Sequence, residues 1–280
     1  MSKNSSQPAA VIFGCSGLVL SDEEKRFFAA SNPLGFILFG RNIGTPEQVR
    51  ALVNDLRATV ERADAPVLID QEGGRVQRLG PPHWRKVPPA AVFADLVAAG
   101  KARGLAGARL NARLLAEDLR NLGIDVNGAP VLDVPVEGAH DIIGDRAYGR
   151  SPERVAPLGR AMCDGLLDGG VLPVIKHIPG HGRALSDSHL DLPVVDAPAS
   201  VLEETDFAPF RALRDAPWAM TAHVVYLALD PERPATLSPF VVKTVIRERI
   251  GFDGLLLTDD LSMRALSGSF GERTRLALAA

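Results

Sequence analysis

Short apolar segments alternate with amphipathic helical segments along almost all of the 280 residues, and this alternation limits the possible folds most strongly. It predicts a parallel β-sheet whose strands are joined by crossover helices. No change of composition marks a domain boundary, so one domain is expected over residues 1–280. The predicted strands cover seven segments: 11–15, 36–39, 66–70, 126–133, 173–177, 218–223 and 255–259.

Capping residues predict where several of the crossover helices begin. A Ser, Thr or Asp before the first turn, with Glu or Gln three positions later or Pro at the first helical position, is typical of a helix start. Apolar residues at 49, 52, 53, 56 and 60, and at 155, 158, 162, 166 and 167, then fall on one helical face. The predicted starts are Ser21 with Glu24, Thr45 with Gln48, Ser151 with Pro152, Ser200 with Glu203, and Ser238 with Pro239.

The most economical closure of such an alternation is a (β/α)8 barrel of the TIM type, whose active site lies at the carboxyl ends of its strands. Polar residues end successive predicted strands, which fits that geometry: Asp70, Asp133, Lys176 with His177, His223, and Asp259 with Asp260. An open doubly wound sheet is the second choice. Its glycine-rich phosphate turn is missing, because residues 72–75 lack the G-x-G-x-x-G spacing.

The composition disfavours two classes of partner. The net charge is -3, with acidic and basic residues interleaved, so no basic face is available to bind nucleic acid or a membrane surface. No apolar segment approaches the roughly 20 residues that span a bilayer. The two cysteines, Cys15 and Cys163, have no paired spacing, which favours a reducing compartment.

The segment 176–189 carries the strongest chemical signal. Lys176 and His177 end a predicted strand, His181 lies in a glycine-rich turn, and Asp187 precedes His189 by two positions. In extended backbone this spacing puts the carboxylate and the imidazole on one side, so Asp187 can orient His189. An imidazole with an ordinary pKa near 6.5 can donate and accept a proton at neutral pH. General acid/base catalysis is therefore predicted here.

Asp259 ends the strand predicted over residues 255–259 and is expected at the mouth of the barrel. An aspartate with an ordinary pKa of about 3.9 is ionised at neutral pH and can act as a nucleophile. Cleavage of a glycosidic bond with retention needs a nucleophile and a proton donor, which Asp259 and His189 can supply. Asp260 is predicted to cap a helix beginning near Leu261. The alternative is that both acids only cap that helix.

Several motifs in order along the chain resemble those of the family 3 glycoside hydrolases, specifically the bacterial cytoplasmic β-N-acetylglucosaminidases of cell-wall recycling. They lie at residues 35–42, 70–78, 129–134, 176–182, 187–189 and 258–263. The resemblance implies a TIM-type barrel with Asp259 as nucleophile, His189 as acid/base and Asp187 as its dyad partner. It also implies that the N-acetylglucosamine unit is held by Asp70, Arg78, Arg146, Lys176 and His177.

The reaction implied by the resemblance removes terminal β-linked N-acetylglucosamine from muropeptide fragments that carry 1,6-anhydro-N-acetylmuramic acid. It implies a cytoplasmic enzyme with a small carbohydrate substrate, no cofactor and no metal, and we expect a monomer. Members of the family continue past the seventh strand through an eighth βα unit, whereas this sequence stops at Ala280. The eighth unit is therefore expected to be missing or truncated.

Three other functions remain open from the sequence. A glycoside phosphorylase would use the same site, since an imidazole does not repel an incoming phosphate as a carboxylate does. A catalytically inactive sugar-binding module is the second. The third, a metal-dependent barrel hydrolase, is disfavoured because the Pro and Gly residues of 179–182 oppose a helix that would bring its ligands together. Those ligands would be His177, His181, Asp187, His189 and His223.

Overall fold

The computed structural model describes residues 7–186 and 191–280 of the chain. Short strands and longer helices alternate along these residues. The strands are β1 (Ala9–Gly14), β2 (Pro33–Leu38), β3 (Val67–Ile69), β4 (Gln71–Gly73), β5 (Val76–Gln77), β6 (Val126–Asn127), β7 (Leu172–Ile178), β8 (Val194–Val195), β9 (Trp218–Thr221), β10 (Val225–Tyr226) and β11 (Leu255–Leu257).

The first seven α-helices lie between strands of the main sheet, as expected for crossover connections, and the eighth follows the last strand. A π-helix at Val241–Ile250 and short 3-10 helices at Gly40–Asn42, Gly144–Arg146 and Ala235–Leu237 accompany them. The α-helices are α1 (Asp22–Ser31), α2 (Pro46–Thr59), α3 (Ala90–Ala99), α4 (Lys101–Arg120), α5 (Pro152–Asp168), α6 (Ala199–Glu204), α7 (Ala208–Ala212) and α8 (Phe270–Ala279). In the described ranges, no helix combines the length and apolar character needed to cross a bilayer.

Seven strands form one parallel sheet in the order β1-β2-β3-β6-β7-β9-β11, which is their order along the chain. Each neighbouring pair is parallel. All seven predicted strands are therefore present, although the fourth is shorter than predicted. β1 and β11 are the two edges of this sheet, so closure through an eighth βα unit is not confirmed by residues 7–186 and 191–280.

Two apolar layers hold the sheet in place. On one face, side chains of all seven strands form a cluster that includes Leu68, Val126, Val174 and Met220. On the other face, strand residues such as Phe36 and Ile69 join the large core shared with the helices. Successive side chains of a strand point to opposite faces of the sheet. Both faces of this sheet are covered, so apolar side chains form a layer on each face.

The predicted apolar faces of the helices are mostly confirmed. Val49, Leu52, Val53 and Leu56 of α2 are all buried. In α5 the residues at 155, 158, 162 and 166 are buried, but Leu167 is 45% exposed, so its assignment to the buried face was wrong. Residue 167 follows 166 by about 100° around the helix, which turns it away from the core.

The cap predictions have mixed outcomes. Ser21 forms the full capping box with Glu24 at the start of α1. Ser238 Oγ accepts a hydrogen bond of 3.1 Å from Val241 N at the start of the π-helix. The prediction for Ser200 was wrong, because α6 begins one residue earlier, at Ala199 after Pro198. Ser200 therefore lies inside the first turn.

The fourth predicted strand, over residues 126–133, is much shorter than expected. β6 ends at Asn127, and Pro130, which has no N–H, cannot donate to a neighbouring strand. The chain nevertheless stays beside β7: Val131 forms an isolated bridge with Lys176, and Leu132 N donates to Lys176 O at 2.6 Å. This contact brings Asp133 next to His177.

Candidate active site

A cavity of about 270 Å³ lies at the carboxyl ends of the strands of the main sheet. The sequence predicted that functional residues would gather at this end. Asp187 and His189, the predicted acid/base pair, lie outside the described residues. Six other predicted site residues line the cavity: Asp70, Arg78, Arg146, Lys176, His177 and Asp259.

Lys176 is the centre of a buried charge cluster beside the cavity. Its Nζ lies 2.8 Å from Asp70 Oδ1 and 2.8 Å from Glu72 Oε1, and its side chain is only 3% exposed. Burial by itself would lower the pKa of Lys176, but the charges of Asp70 and Glu72 raise it above its ordinary value. Lys176 is therefore a cation that two carboxylates fix in one position.

Glu72 joins this cluster to Arg146. Glu72 was not identified as a site residue from the sequence. Arg146 Nε donates to Glu72 Oε2 at 2.9 Å and Nη2 donates to Oε1 at 2.8 Å, a bidentate pair. Burial would raise the pKa of Glu72, but Lys176 and Arg146 lower it to about 2. The spacing held a signal: in the extended segment 70–73, Asp70 and Glu72 lie on one side of the chain.

Asp70 and Arg78 are the more accessible members of the cluster. Arg78 Nη2 lies 3.5 Å from Asp70 Oδ2, and the two side chains are 30% and 17% exposed. Gln71 fixes the backbone around them, since its Oε1 accepts from Arg78 N at 2.9 Å. Because cations and carboxylates are interleaved here, the cluster offers fixed donors and acceptors to a neutral, hydroxyl-rich ligand.

Asp259 lies two residues after β11, on the wall of the same cavity. Its Oδ1 accepts a hydrogen bond from Asp260 N at 2.8 Å. Burial would raise the pKa of Asp259, but the adjacent His177, that hydrogen bond and the charge of Lys176 lower it below its ordinary value. A partly accessible, ionised carboxylate at this position is chemically suited to act as a nucleophile.

Asp260 and His223 fix the backbone that follows Asp259. Asp260 Oδ1 accepts from Ser262 N at 2.7 Å in a turn, so the predicted helix near Leu261 was wrong. His223 is fully buried, and its Nε2 lies 3.1 Å from Asp260 O. Since a carbonyl oxygen only accepts, Nε2 carries the proton. Burial lowers the pKa of His223, which favours the neutral ring.

His181 lies beside His177 on the cavity wall, with the two ring centroids 5.6 Å apart. Burial and the neighbouring His177 lower the pKa of His181 to about 4, so its ring is neutral at pH 7. Within residues 7–186 and 191–280, no group of three or more His, Cys, Asp or Glu side chains is arranged to hold a metal ion. The proposed ligands Asp187 and His189 lie outside those ranges.

The ion pairs of Glu72 predict how stability depends on pH. Because its pKa is lower in the folded protein than in the unfolded chain, its stabilising effect is complete above about pH 4.5 and is lost as the pH falls toward 2. We expect a contribution on the order of 3 kcal/mol. Glu72→Gln should therefore be less stable than wild type at pH 7, with a smaller difference at pH 3.

Urea unfolding at several pH values measures this difference. Glu23→Gln, which replaces an exposed carboxylate on α1, is the matched control and should follow the wild-type curve. A constant difference between Glu72→Gln and wild type from pH 7 to pH 3 would contradict the proposed origin of the effect.

Comparison with known proteins identifies relatives along nearly the whole chain. Residues 15–280 match the sequence model of the glycosyl hydrolase family 3 N terminal domain. The chain is 41% identical over 273 residues to a β-hexosaminidase of Methylococcus capsulatus, covering 96% of this chain and 79% of that protein. A β-hexosaminidase of Alkalilimnicola ehrlichii is 39% identical over 274 residues, covering 96% and 78%.

The fold also resembles solved structures. The crystal structure of NagZ from Neisseria gonorrhoeae in complex with N-trifluoroacetyl-D-glucosamine matches with a TM-score of 0.89 and 35% sequence identity. The match covers 97% of this chain and 79% of that one.

Proposed function

The chain belongs to glycosyl hydrolase family 3 and is a glycoside hydrolase; on that premise we propose that it is a retaining exo-β-N-acetylglucosaminidase. The proposed reaction removes terminal β-linked N-acetylglucosamine from 1,6-anhydro-muropeptide fragments in the cytoplasm. One barrel domain over residues 1–280 is part of the same proposal. The observation that carries it is the position of the Asp259 carboxyl group on the wall of a cavity that Asp70, Arg78, Lys176 and His177 also line.

The dimensions and charges of the cavity support a single terminal sugar as the bound unit. Its volume of about 270 Å³ is near the lower end of the roughly 300–1,000 Å³ typical of small-molecule sites. Asp70 and Arg78 are accessible enough to form hydrogen bonds with sugar hydroxyls. The structurally similar NagZ was crystallised with an N-acylated glucosamine, which agrees with this ligand class.

The proposed mechanism has two displacements at the anomeric carbon. Asp259 attacks that carbon and forms a covalent glycosyl-enzyme, while His189, oriented by Asp187, donates a proton to the leaving oxygen. In the second step His189 removes a proton from water, whose oxygen displaces Asp259. The two inversions give net retention.

Trapping the intermediate is the direct test of this mechanism. A 2-fluoro glycosyl donor with a good leaving group should label the peptide that contains Asp259, as located by mass spectrometry. A label on another residue, or inverted product from an aryl β-N-acetylglucosaminide, would contradict the proposal.

Two further measurements separate the alternative functions. When the aryl β-N-acetylglucosaminide is turned over in the presence of phosphate, sugar 1-phosphate as the main product indicates a phosphorylase. Complete loss of turnover after chelation, with stoichiometric zinc before it, indicates a metal-dependent hydrolase.

The role proposed for His189 predicts an effect that depends on the leaving group. His189→Ala should reduce kcat by about 10²–10⁴-fold for a natural disaccharide, whose leaving oxygen needs a proton. The loss in the first step should be much smaller for an activated aryl glycoside, because that group leaves without protonation. Burst kinetics on both substrates measure this. His83→Ala, at an exposed histidine, is the control; equal losses in the first step would exclude His189 as the acid.

A further inference from the structure

Asp133 is a fully buried carboxylate that contacts the cavity only through its neighbours. Its Oδ2 lies 2.6 Å from His177 Nδ1. Its Oδ1 accepts hydrogen bonds from the backbone N–H of His177, at 3.2 Å, and of His181, at 2.6 Å. One side chain therefore fixes the end of β7, the ring of His177 and the turn that follows.

The charge of Asp133 determines which nitrogen of His177 carries a proton. Burial would raise the pKa of Asp133, but the adjacent His177 and the hydrogen bonds that the carboxylate accepts lower it below the ordinary value. An ionised carboxylate only accepts hydrogen bonds, so Nδ1 of His177 must be the donor. Nε2, on the opposite edge of the ring, is then the nitrogen left to interact with a ligand, and His177 lines the cavity.

We propose that Asp133 is a positioning residue of the reaction: it fixes the ring plane and the protonated nitrogen of His177, and so sets how Nε2 interacts with the bound sugar. The proposal rests on the proposed function, in which His177 contacts the N-acetylglucosamine unit. Asp133 touches no substrate itself. Its effect on turnover is exerted entirely through His177.

The variant Asp133→Asn removes the negative charge of this side chain and keeps nearly the same shape. The amide oxygen of Asp133→Asn keeps accepting from the backbone N–H groups of His177 and His181, which turns the amide N–H₂ toward Nδ1. Nδ1 must then accept, and the ring proton moves to Nε2. We expect kcat/KM to fall about 10–100-fold, the range for loss of one hydrogen bond to a charged group.

A double-mutant cycle tests whether Asp133 acts through His177. The kcat/KM for an aryl β-N-acetylglucosaminide is measured for wild type, Asp133→Asn, His177→Gln and the double variant. If the proposal holds, the double variant is within about twofold of His177→Gln, because the partner is already absent. Losses that multiply would show that Asp133 acts independently of His177 and would overturn the proposal.

Asp125→Asn is the matched control, since this carboxylate has similar hydrogen bonds but lies at the amino ends of the strands. Asp125 Oδ1 accepts from Val67 N at 2.8 Å, and Oδ2 pairs with Arg57 at 2.9 Å. It should lower stability without changing kcat/KM. An equal loss of kcat/KM in Asp125→Asn and Asp133→Asn would indicate a merely structural effect and count against the proposal.

Proton–nitrogen correlation NMR of the whole chain shows directly which ring nitrogen of His177 carries a proton. The signals of His177 are identified because they are absent from the spectrum of His177→Gln. Nδ1 should be protonated in wild type, and the proton should be on Nε2 in Asp133→Asn. A wild-type ring without a proton on Nδ1 at neutral pH would overturn the proposal even if Asp133→Asn does not fold. If wild type releases no N-acetylglucosamine, the proposed function fails, while these spectra still decide how Asp133 acts on His177.

Discussion

Asp259→Ala is expected to lower kcat by at least roughly 10⁴-fold while sugar binding changes by no more than a few-fold. The reason is that the carboxylate forms the covalent bond to the sugar, and alanine removes that step. The sugar contacts proposed for Asp70, Arg78 and Lys176 remain, because those side chains are fixed by their own ion pairs. Steady-state kinetics with an aryl β-N-acetylglucosaminide and calorimetric titration with N-acetylglucosamine measure the two effects.

The neighbouring acid provides a matched control for this prediction. Asp260 is exposed, and its side chain accepts from Ser262 N in the turn after β11. Asp260→Ala keeps the backbone carbonyl that contacts His223, so we expect less than about a tenfold loss of kcat. More than a few per cent of wild-type activity in Asp259→Ala would exclude Asp259 as the nucleophile.

Lys176→Met is expected to reduce the free energy of unfolding by about 3–5 kcal/mol, the usual effect of removing one partner of a buried ion pair. Methionine fills much of the space but leaves Asp70 and Glu72 without the cation that lies 2.8 Å from each. The two carboxylates then repel each other at the cavity wall. Sugar binding should be weakened as well, because Lys176 is itself a proposed sugar contact and Asp70 keeps only its longer pair with Arg78.

Urea unfolding monitored by circular dichroism measures the change in stability. Lys101→Met, at an exposed lysine that begins α4, is the matched control and should change the unfolding free energy by less than about 0.5 kcal/mol. If Lys176→Met lowers the free energy of unfolding by less than about 1 kcal/mol, water or protonation of a carboxylate compensates for the missing lysine charge. The cluster would then not be rigid.

Local patterns predicted the elements of the sheet well. The apolar face of α2 is buried at Val49, Leu52, Val53 and Leu56 because a 3.6-residue period leaves one face to pack on the strands. Strand β7 was predictable because its apolar run is buried on both faces. The fourth strand was predicted too long: its regular pairing ends at Asn127, although the chain stays hydrogen-bonded to β7 as far as Leu132.

The candidate site was predictable in its members but not in its contacts. Ends of parallel strands meet at one side of a sheet, so Asp70, Lys176 and Asp259 were expected near each other. The pairing of Arg146 with Glu72 was not expected, because this bidentate contact joins residues that are 74 positions apart in the sequence. Asp133 was visible as a strand-ending acid, but its contact with His177 depends on the register of the chain beside β7.

The sequence by itself determined where the seven strands of the main sheet lie and which chemical groups stand near their ends, because short-range periodicity depends on neighbouring residues. Only the tertiary structure decided which charges pair: Lys176 and Asp70 are 106 positions apart, and their 2.8 Å contact exists only once the sheet has brought them together. The ionisation states of the site residues also depend on this assembly of the sheet. Burial and a neighbouring charge act through space, so the low pKa of Glu72 is a property of the assembled site.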